Sequence, residues 1–178
     1  AHAGFYMLGA YFGYGISATP LQLARAYSVF ANEGVQSPLS LLALDGEPRQ
    51  GERIVSPQIA REVLGVLHAV TGDEGTARKA RVPGFPVGGK TGTVHKVGPQ
   101  GYLANQYVAW FAGIAPIDNP RIVTVVVIND PKGAAYGGGA VAAPVFSTVT
   151  QGALRLLNMA PTDAAALAAA AASAKGPA

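Results

Sequence analysis

The chain has 178 residues, of which 49% are hydrophobic and 13% charged, which is typical of one compact domain with an apolar core. Its net charge of +3 is spread along the sequence, so no nucleic-acid interface is predicted. The absence of cysteine excludes disulfides, CxxC redox centres and thiolate metal sites, and His2, His68 and His95 lie too far apart in sequence to predict a metal site.

The first predicted helix lies in ATPLQLARAYSVFANEG, residues 18–34. Thr19 can accept hydrogen bonds from the free amides of the first turn, and Pro20 has the fixed φ angle that suits the first helical position. Gly34 can adopt the left-handed conformation with which helices commonly end.

The second predicted helix lies in SPQIAREVLGVLHAVTG, where Ser56 is the cap, Pro57 the first helical residue and Gly72 the stop. Its apolar stripe, which is predicted to pack against a core, consists of Ile59, Val63, Val66, Leu67 and Val70. Between the two helices the sequence predicts a loop with short extended pieces and a turn at Asp45-Gly46.

Three strands are predicted in the second half of the chain: KTGTVHKV (90–97), QYVAWFAGIA (106–115) and RIVTVVVIND (121–130). The segment PIDNP separates the last two strands, and so short a loop favours an antiparallel hairpin. The third strand is apolar on both faces, which predicts a central position in the sheet with helices on each side.

The segment after the third strand begins with PKGAAYGGG, which is predicted to be a mobile loop that could border a site. A closing helix is predicted in AVAAPVFSTVTQGALRLLN. The face of this helix that is predicted to pack on the sheet consists of Val141, Val145, Val149 and Leu156.

The two ends of the chain are predicted to add little to the core. Residues 1–161 are predicted to form the domain, whereas the alanine-rich residues 162–178 bury too little to hold one conformation and are predicted to be frayed or disordered. No stretch reaches the roughly 18 to 20 consecutive apolar residues of a membrane span. The first residues, AHAGFYMLGAYFGYG, lack the basic region of a signal peptide.

The segment GFPVGGKTGTVHK, residues 84–96, fits two motifs that share Lys90. One is the phosphate-binding P-loop, G-x-x-x-x-G-K-[ST], and the other is K-T-G, a substrate-binding motif of acyl-serine enzymes. A P-loop needs an apolar strand before the lysine and a helix directly after it. Two prolines precede Lys90, and Gly92 and β-branched residues follow it, so the context favours an extended strand.

On such a strand Thr91 and Thr93 lie on one face and Lys90 on the other. The two hydroxyls could hold a substrate carboxylate, and the ammonium would add charge-assisted hydrogen bonds. Gly92 would let a peptide-like substrate approach the strand edge, and the amide of Thr93 could donate to a developing oxyanion. At this point an ordinary exposed turn that contains a lysine remains the alternative.

Several other residues could be mistaken for catalytic groups. His95 lies on the face of Thr93 and is predicted to border the groove or to be solvated. Structural roles, in sheet packing or in a turn before Thr76, are predicted for Tyr107, Trp110, Phe111, Asp73 and Glu74.

Longer blocks in a fixed order carry a family resemblance: GYGISATPLQLARAYSVFANEG, VGGKTGTVHKV, QYVAWFAGIAP, NPRIVTVVVINDPKG and GGGAVAAPVFSTV. From Gly13 to about Pro161 the chain resembles the class B penicillin-binding proteins, and within them the D,D-transpeptidases that build septal peptidoglycan in cell division. The resemblance implies an α+β fold similar to that of the serine β-lactamases. In this fold an antiparallel sheet is flanked by helices on both faces, and the active site runs along the K-T-G strand.

The resemblance also implies a mechanism, in which a serine attacks the D-Ala-D-Ala stem peptide and is acylated by β-lactams in the same way. Lys90 would organise the proton network and the substrate charge, and Thr91 and Thr93 would grip the terminal carboxylate. The amide of Thr93 would complete the oxyanion hole. Lys90 and Thr93 are therefore the catalytic candidates, and Thr91, Gly92 and Thr93 the substrate-binding candidates. No cofactor and no metal are implied.

Two motifs of the family are missing from this sequence. No serine has a lysine three residues later or an asparagine two residues later, so neither S-x-x-K nor S-x-N is present. The expectation is thus the C-terminal part of a transpeptidase domain, inactive alone, with the nucleophile and a membrane anchor in an upstream part on the periplasmic side of the inner membrane. Stem peptides, β-lactams, the upstream half of the domain and division proteins are the implied partners.

Two other interpretations remain open at this stage. The chain could be a non-catalytic docking module of the division machinery, or it could be a relative of the serine β-lactamases and carboxypeptidases, which share K-T-G.

Overall fold

The computed structural model describes residues 17–42, 46, 50–99 and 101–162. In chain order the elements are α1 (Pro20–Ala31), β1 (Val35–Gln36), β2 (Glu52–Arg53), α2 (Pro57–Ala69), a 3-10 turn (Arg78–Ala80), β3 (Gly88–Gly98), β4 (Gly101–Ala115), β5 (Ile122–Asn129), α3 (Gly138–Val141) and α4 (Ala143–Leu156). The chain combines helices with sheets whose strands are all antiparallel, as expected of the predicted α+β fold. The opening segment, Asp45 and residues 163–178 lie outside the described residues.

Helix α1 begins and ends as the sequence predicts. The Thr19 hydroxyl accepts a hydrogen bond from the Gln22 amide at 3.2 Å, and the Gln22 side chain accepts one from the Thr19 amide at 2.8 Å, which together form a capping box. Gly34 has a φ of 87°, and a Cβ at this position would lie 2.1 Å from the carbonyl oxygen of Val55. Only glycine therefore fits the exit from this helix.

Helix α2 has the predicted start but a different end. The Ser56 hydroxyl accepts a hydrogen bond from the Ile59 amide at 3.2 Å. The helix ends at Ala69, and Gly72, predicted as the left-handed stop, instead donates from its amide to the Ala69 carbonyl at 3.1 Å. The chain leaves α2 through tight turns, which need no residue with positive φ.

The buried face of α2 also differs from the predicted stripe. Ala60 and Leu67 are buried and Val63 packs beside them, but Ile59 and Val66 are exposed. The reason is a close approach to strand β3, because a Cβ on Gly88 would lie 2.8 Å from the backbone nitrogen of His68. Because Gly88 has no side chain, the backbone of α2 itself contacts the strand, and this contact fixes which face of the helix is buried.

The sheet contains three antiparallel strands in the order β3-β4-β5. The segment PIDNP joins β4 to β5 as the predicted hairpin, with Ala115 opposite Ile122. The prediction that the third strand is central is wrong for the described residues, because β5 lies at an edge and β4 in the middle. Helices α1 and α4 do pack against β5, which explains why both of its faces are apolar. Apolar faces show that helices cover a strand, but they do not show how many strands pair with it.

The main core lies between the sheet and α4. Phe111 of β4 and Phe146 of α4 are fully buried, and their rings meet edge to face with centroids 4.8 Å apart. A second cluster, which contains Leu67, Ile114 and Ile117, lies on the α1 and α2 side of the sheet. The sheet is thus covered by helices on both faces, as predicted.

The predicted packing face of the closing helix is wrong. Val145, Val149 and Leu156 are 40%, 51% and 85% exposed. The buried residues of α4 are Ala143, Phe146, Thr150 and Leu154. Phe146 determines the rotation because it is the largest apolar side chain of the helix, and the Thr150 hydroxyl is satisfied by donating to the Thr124 hydroxyl at 3.3 Å.

Candidate active site along strand β3

The K-T-G-T segment is extended, as predicted. Lys90 pairs with Ala112 and Gly92 with Trp110 of β4, so no helix begins at the lysine and the geometry of a P-loop is absent. Among the described residues β4 is the only strand that pairs with β3, so the other edge of β3 is open. Lys90 and Thr93 are exposed and Thr91 is half-buried, which leaves this edge accessible to an extended ligand.

The Lys90 ammonium lies beside the Thr91 hydroxyl. Its Nζ atom donates to the Thr91 carbonyl oxygen at 3.0 Å and lies 3.5 Å from Thr91 Oγ1. The lysine leaves the strand on the face opposite to Thr91, but its long side chain bends back to the edge. A positive charge therefore stands next to a hydroxyl donor, which is a suitable pair for a carboxylate.

Thr93 is held by the start of helix α3. Its Oγ1 atom accepts a hydrogen bond from the Gly138 amide at 3.0 Å. Because a hydroxyl has one donor and two acceptor positions, the proton of Thr93 is still available for a ligand. A Cβ on Gly138 would lie 2.3 Å from the Trp110 carbonyl oxygen, so only glycine lets this helix start reach the strand.

Thr76 adds a further hydroxyl at the open edge of β3, which we call the rim of the candidate site. It lies in the loop after α2, and its Oγ1 atom is 3.5 Å from Thr91 Oγ1. The backbone of Gly139 packs against Thr76, since a Cβ on Gly139 would lie 2.2 Å from the Thr76 carbonyl oxygen. Sequence reasoning assigned Thr76 only to a turn, and no spacing or motif links it to the strand.

The packing of the sheet also requires glycine at position 92, which the motif does not reveal. A Cβ at this position would lie 1.9 Å from Cε2 and 2.2 Å from Nε1 of Trp110 on the neighbouring strand. The indole therefore lies across the glycine, and Trp110 is half-buried as a result. This packing is a second reason for glycine, in addition to the close approach of a substrate.

Aromatic rings continue the face of Thr93 along the sheet. The His95 and Tyr107 rings lie 4.5 Å apart, and Tyr107 stacks on Tyr136 with centroids 4.1 Å apart at 12°. Partial burial and, after it, the neighbouring Tyr136 raise the pKa of Tyr107. The glycine-rich loop after β5 thus borders the candidate site through Tyr136 and Gly138, a placement that the sequence had left open.

A sequence profile described as "Penicillin binding protein transpeptidase domain" matches residues 6–151. The chain belongs to this transpeptidase-domain family. Among solved structures, this transpeptidase chain is similar to the "TP domain" of penicillin-binding protein 3 from Burkholderia pseudomallei, with 43% identity and a TM-score of 0.78. The match covers 84% of this chain and 46% of that one, and it agrees with the penicillin-binding fold that the sequence resemblance implied.

Curated transpeptidases are similar over the same region. "Peptidoglycan D,D-transpeptidase FtsI" of Escherichia coli K12 is 45% identical over 150 residues, which are 84% of this chain and 25% of that protein. "Probable peptidoglycan D,D-transpeptidase PenA" of Neisseria gonorrhoeae is 43% identical over 151 residues, which are 85% of this chain and 26% of that protein. The transpeptidase chain thus spans about a quarter of the length of these relatives.

Of the two neighbouring acidic residues Asp73 and Glu74, Asp73 has a structural role. Its carboxylate forms a salt bridge of 2.7 Å with Arg81, whose Nε atom donates to the Thr71 carbonyl oxygen at 2.7 Å. The hydrogen bond from Arg81, followed by its charge, lowers the pKa of Asp73. Arg81 thus favours the charged form of Asp73 and ties this turn residue to the turn that contains Thr71.

The described part of the chain has neither a helix that could span a membrane nor a candidate metal cluster. No helix there has the length and apolar character needed to cross a membrane. Within the same residues, no three histidine, cysteine, aspartate or glutamate side chains lie close enough together to hold a metal ion.

Replacing Gly92 with alanine is expected to lower the free energy of unfolding of the transpeptidase chain by about 1 to 3 kcal/mol, because the new methyl group collides with Trp110. Urea denaturation measures this loss. Trp110 is the single tryptophan, so its fluorescence spectrum should shift as well. Gly65 is the matched control: a Cβ there meets no described atom within 4 Å, and G65A should stabilise α2 by roughly 0.5 to 1 kcal/mol. Equal effects of the two substitutions would contradict the Trp110 contact.

Proposed function

We propose that this chain is the C-terminal part of a serine D,D-transpeptidase domain that cross-links peptidoglycan stem peptides in septal wall synthesis and binds β-lactams. The observation that carries the proposal is the open edge of β3, where the Lys90 ammonium and the Thr91 hydroxyl stand together. The family to which the chain belongs and the names of its relatives support the reaction class.

In the proposed reaction, the serine of an S-x-x-K motif outside this chain attacks the carbonyl carbon between the two terminal D-alanines. The bond to the last D-alanine breaks, this residue leaves with a proton on its amine, and an acyl-serine forms. An amine of a neighbouring stem peptide then attacks the acyl-serine, which forms the cross-link and frees the serine. A β-lactam follows the first step only, because its ring opens without a departing group.

The residues of β3 bind and orient the stem peptide in this proposal. The hydroxyls of Thr91 and Thr93 donate hydrogen bonds to its terminal carboxylate, and Lys90 contributes positive charge and organises the proton network. The open strand edge pairs with the extended peptide backbone. The Thr93 amide donates to the carbonyl oxygen as it gains negative charge, which stabilises the transition state of acylation.

The wider setting of the proposal follows from the same resemblance. The upstream half of the domain supplies the nucleophile, and a membrane anchor in the whole protein holds the domain on the periplasmic side of the inner membrane. Division proteins are the proposed partners in the cell. Residues 1–161 belong to the domain, and residues 162–178 form a tail.

Incubation of the 178-residue chain with a fluorescent penicillin is expected to produce no covalent label on a denaturing gel, because no serine of the chain lies in S-x-x-K. Joining the chain to a segment with that motif should produce a label that unlabelled penicillin prevents. Labelling of any residue in the chain alone would contradict the proposal. Rapid hydrolysis of a chromogenic cephalosporin by the joined protein would instead indicate a β-lactamase, because a transpeptidase holds the acyl group.

A further inference from the structure

The segment that follows α2, residues 70–77, brings the Thr76 hydroxyl to the rim, and we call it the Thr76 turn. Its two ends are joined, because the Ala77 amide donates to the Val70 carbonyl oxygen at 3.0 Å. The Oγ1 atoms of Thr76 and Thr91 lie 3.5 Å apart, which is the outer limit of a hydrogen bond. A small shift of the turn away from β3 would break this contact, so the position of the turn decides whether Thr76 supports Thr91.

Arg81 holds the Thr76 turn through two contacts. Its Nε atom donates to the Thr71 carbonyl oxygen at 2.7 Å, and its Nη2 atom forms a salt bridge of 2.7 Å with Asp73. The Ser147 hydroxyl of α4 donates to the Arg81 carbonyl oxygen, which connects Arg81 to the helix that covers the sheet. Because the donors of a guanidinium group lie in a rigid plane, two acceptors on one turn fix the orientation of that turn.

The beginning of the Thr76 turn is fixed to the strand that carries the rim. Thr71 is buried, and its hydroxyl donates to the Val87 carbonyl oxygen at 2.8 Å. Val87 directly precedes β3, so this hydrogen bond holds the turn and the strand together. Arg81 then determines the direction in which the rest of the turn leaves Thr71, and Thr76 lies at the far end of that path.

We propose that Arg81 is a positioning residue of the candidate site, which holds the Thr76 turn so that the Thr76 hydroxyl donates to Thr91 Oγ1. The inference rests on the proposed function, in which Thr91 binds the carboxylate of the ligand. A hydroxyl oxygen accepts hydrogen bonds while its own proton is donated, so Thr91 can receive the Thr76 proton and still donate to the carboxylate. Hydrogen bonds in such a chain polarise one another, which strengthens the last donor. Arg81 acts through Thr76 and does not itself touch the ligand.

Arg78 is the matched control for the charge of Arg81. It lies three residues earlier, in the 3-10 turn, and its side chain forms no hydrogen bond or salt bridge with another described residue. R78Q therefore removes an equal charge from the same region and leaves the contacts of the Thr76 turn intact. An effect of R81Q that R78Q does not share belongs to the contacts of Arg81 and not to its charge.

The test measures the second-order rate constant of acylation in a protein that joins this chain to an S-x-x-K segment. The probes are a fluorescent penicillin and its methyl ester, which lacks the carboxylate. R81Q is expected to lower the rate constant for the free acid about 2- to 12-fold, as loss of one hydrogen bond would, and to leave that for the ester within about twofold. A purely structural role would slow both probes alike. Equal rate constants of R81Q and the parent protein for the free acid, or an equal loss in R78Q, would overturn the inference.

A double-mutant cycle shows whether Thr76 transmits the effect. T76V is expected to lower the rate constant for the free acid at least as much as R81Q does, and R81Q should add less than about twofold in the T76V background. Effects that multiply would overturn the inference. Urea denaturation establishes that each variant is folded. D73N removes only the exposed salt bridge, so it should give a smaller loss and provides the test if R81Q does not fold.

A measurement on the 178-residue chain separates this inference from the proposed function. In a proton–carbon correlation NMR spectrum, R81Q is expected to shift the methyl signals of Thr76 and Thr91, whereas R78Q should shift neither. Unchanged signals in R81Q would overturn the inference even if penicillin labels the joined protein. Shifted signals together with a joined protein that penicillin never labels would overturn the proposed function alone.

Discussion

Replacing Lys90 with alanine is expected to slow acylation by a fluorescent penicillin roughly 10- to 150-fold in a protein that joins this chain to an S-x-x-K segment. The ammonium stands 3.5 Å from the Thr91 hydroxyl, where the ligand carboxylate is proposed to bind. A hydrogen bond to a charged group contributes about 1.5 to 3 kcal/mol, and each 1.4 kcal/mol changes a rate about tenfold. Stopped-flow fluorescence of the labelling reaction measures the rate constant.

Lys96 is the matched control for this effect, since it lies on the same strand as Lys90 but further along it, away from Thr91 and Thr93. K96A should leave the acylation rate within about twofold of the parent protein, as expected of a distant lysine. T91V should slow acylation as well, but less, because a neutral hydroxyl donor is lost. If K90A and K96A label equally fast, Lys90 has no part in the site.

Replacing Phe146 with alanine is expected to lower the free energy of unfolding by about 3 to 5 kcal/mol, which is the largest effect on stability predicted here. The ring is fully buried and meets Phe111 edge to face, so its removal leaves a cavity between α4 and the sheet. Urea denaturation followed by circular dichroism measures the change in the midpoint. Phe111 lies beside Trp110 on β4, so the variant should also loosen the strand that supports the site.

Val149 tests whether the face assigned to α4 is correct. It is 51% exposed, so V149A should change the free energy of unfolding by no more than about 0.5 kcal/mol. The sequence pattern predicted the opposite, with Val149 in the core. A larger loss from V149A than from Phe146→Ala would restore that earlier assignment and contradict the structure.

The starts of the helices could be predicted because the interactions that set them are local. Thr19 and Gln22 are three residues apart and satisfy each other's amides, and Ser56 does the same for the first turn of α2. The turn between β4 and β5 was predictable for the same reason, since its length leaves the chain one way to return. Such features depend on the order of neighbouring residues and need no knowledge of the rest of the molecule.

The rotation of the helices depends on packing and could not be predicted from periodicity. In the predicted closing helix, three valines and a leucine formed a plausible stripe, yet Phe146 and Thr150 of α4 face the core. A helical stripe gives every apolar position the same weight, whereas burial of the side chain with the largest apolar area stabilises the fold most. On α2, the decisive residue is Gly88 of another element, which no pattern within the helix contains.

Part of the candidate site could also be predicted from the sequence, and part of it could not. The strand that carries Lys90, Thr91 and Thr93 was predictable, because glycine and β-branched residues around the lysine exclude a helix. Thr76 and Gly138 reach the strand only through tertiary packing, and their positions in the chain have no fixed spacing to it. The roles of the strand residues in catalysis remain predictions that the acylation experiments test.

The hydrogen bond between the Gly138 amide and the Thr93 hydroxyl joins two residues that are synthesised at different times. The two partners are 45 residues apart, and Gly138 is the later one to leave the ribosome. Strand β3 can therefore emerge and pair with β4 while Thr93 still lacks its anchor. A nascent chain that stops between residues 93 and 138 would contain every residue of the K-T-G-T motif and still lack the hydrogen bond that holds Thr93.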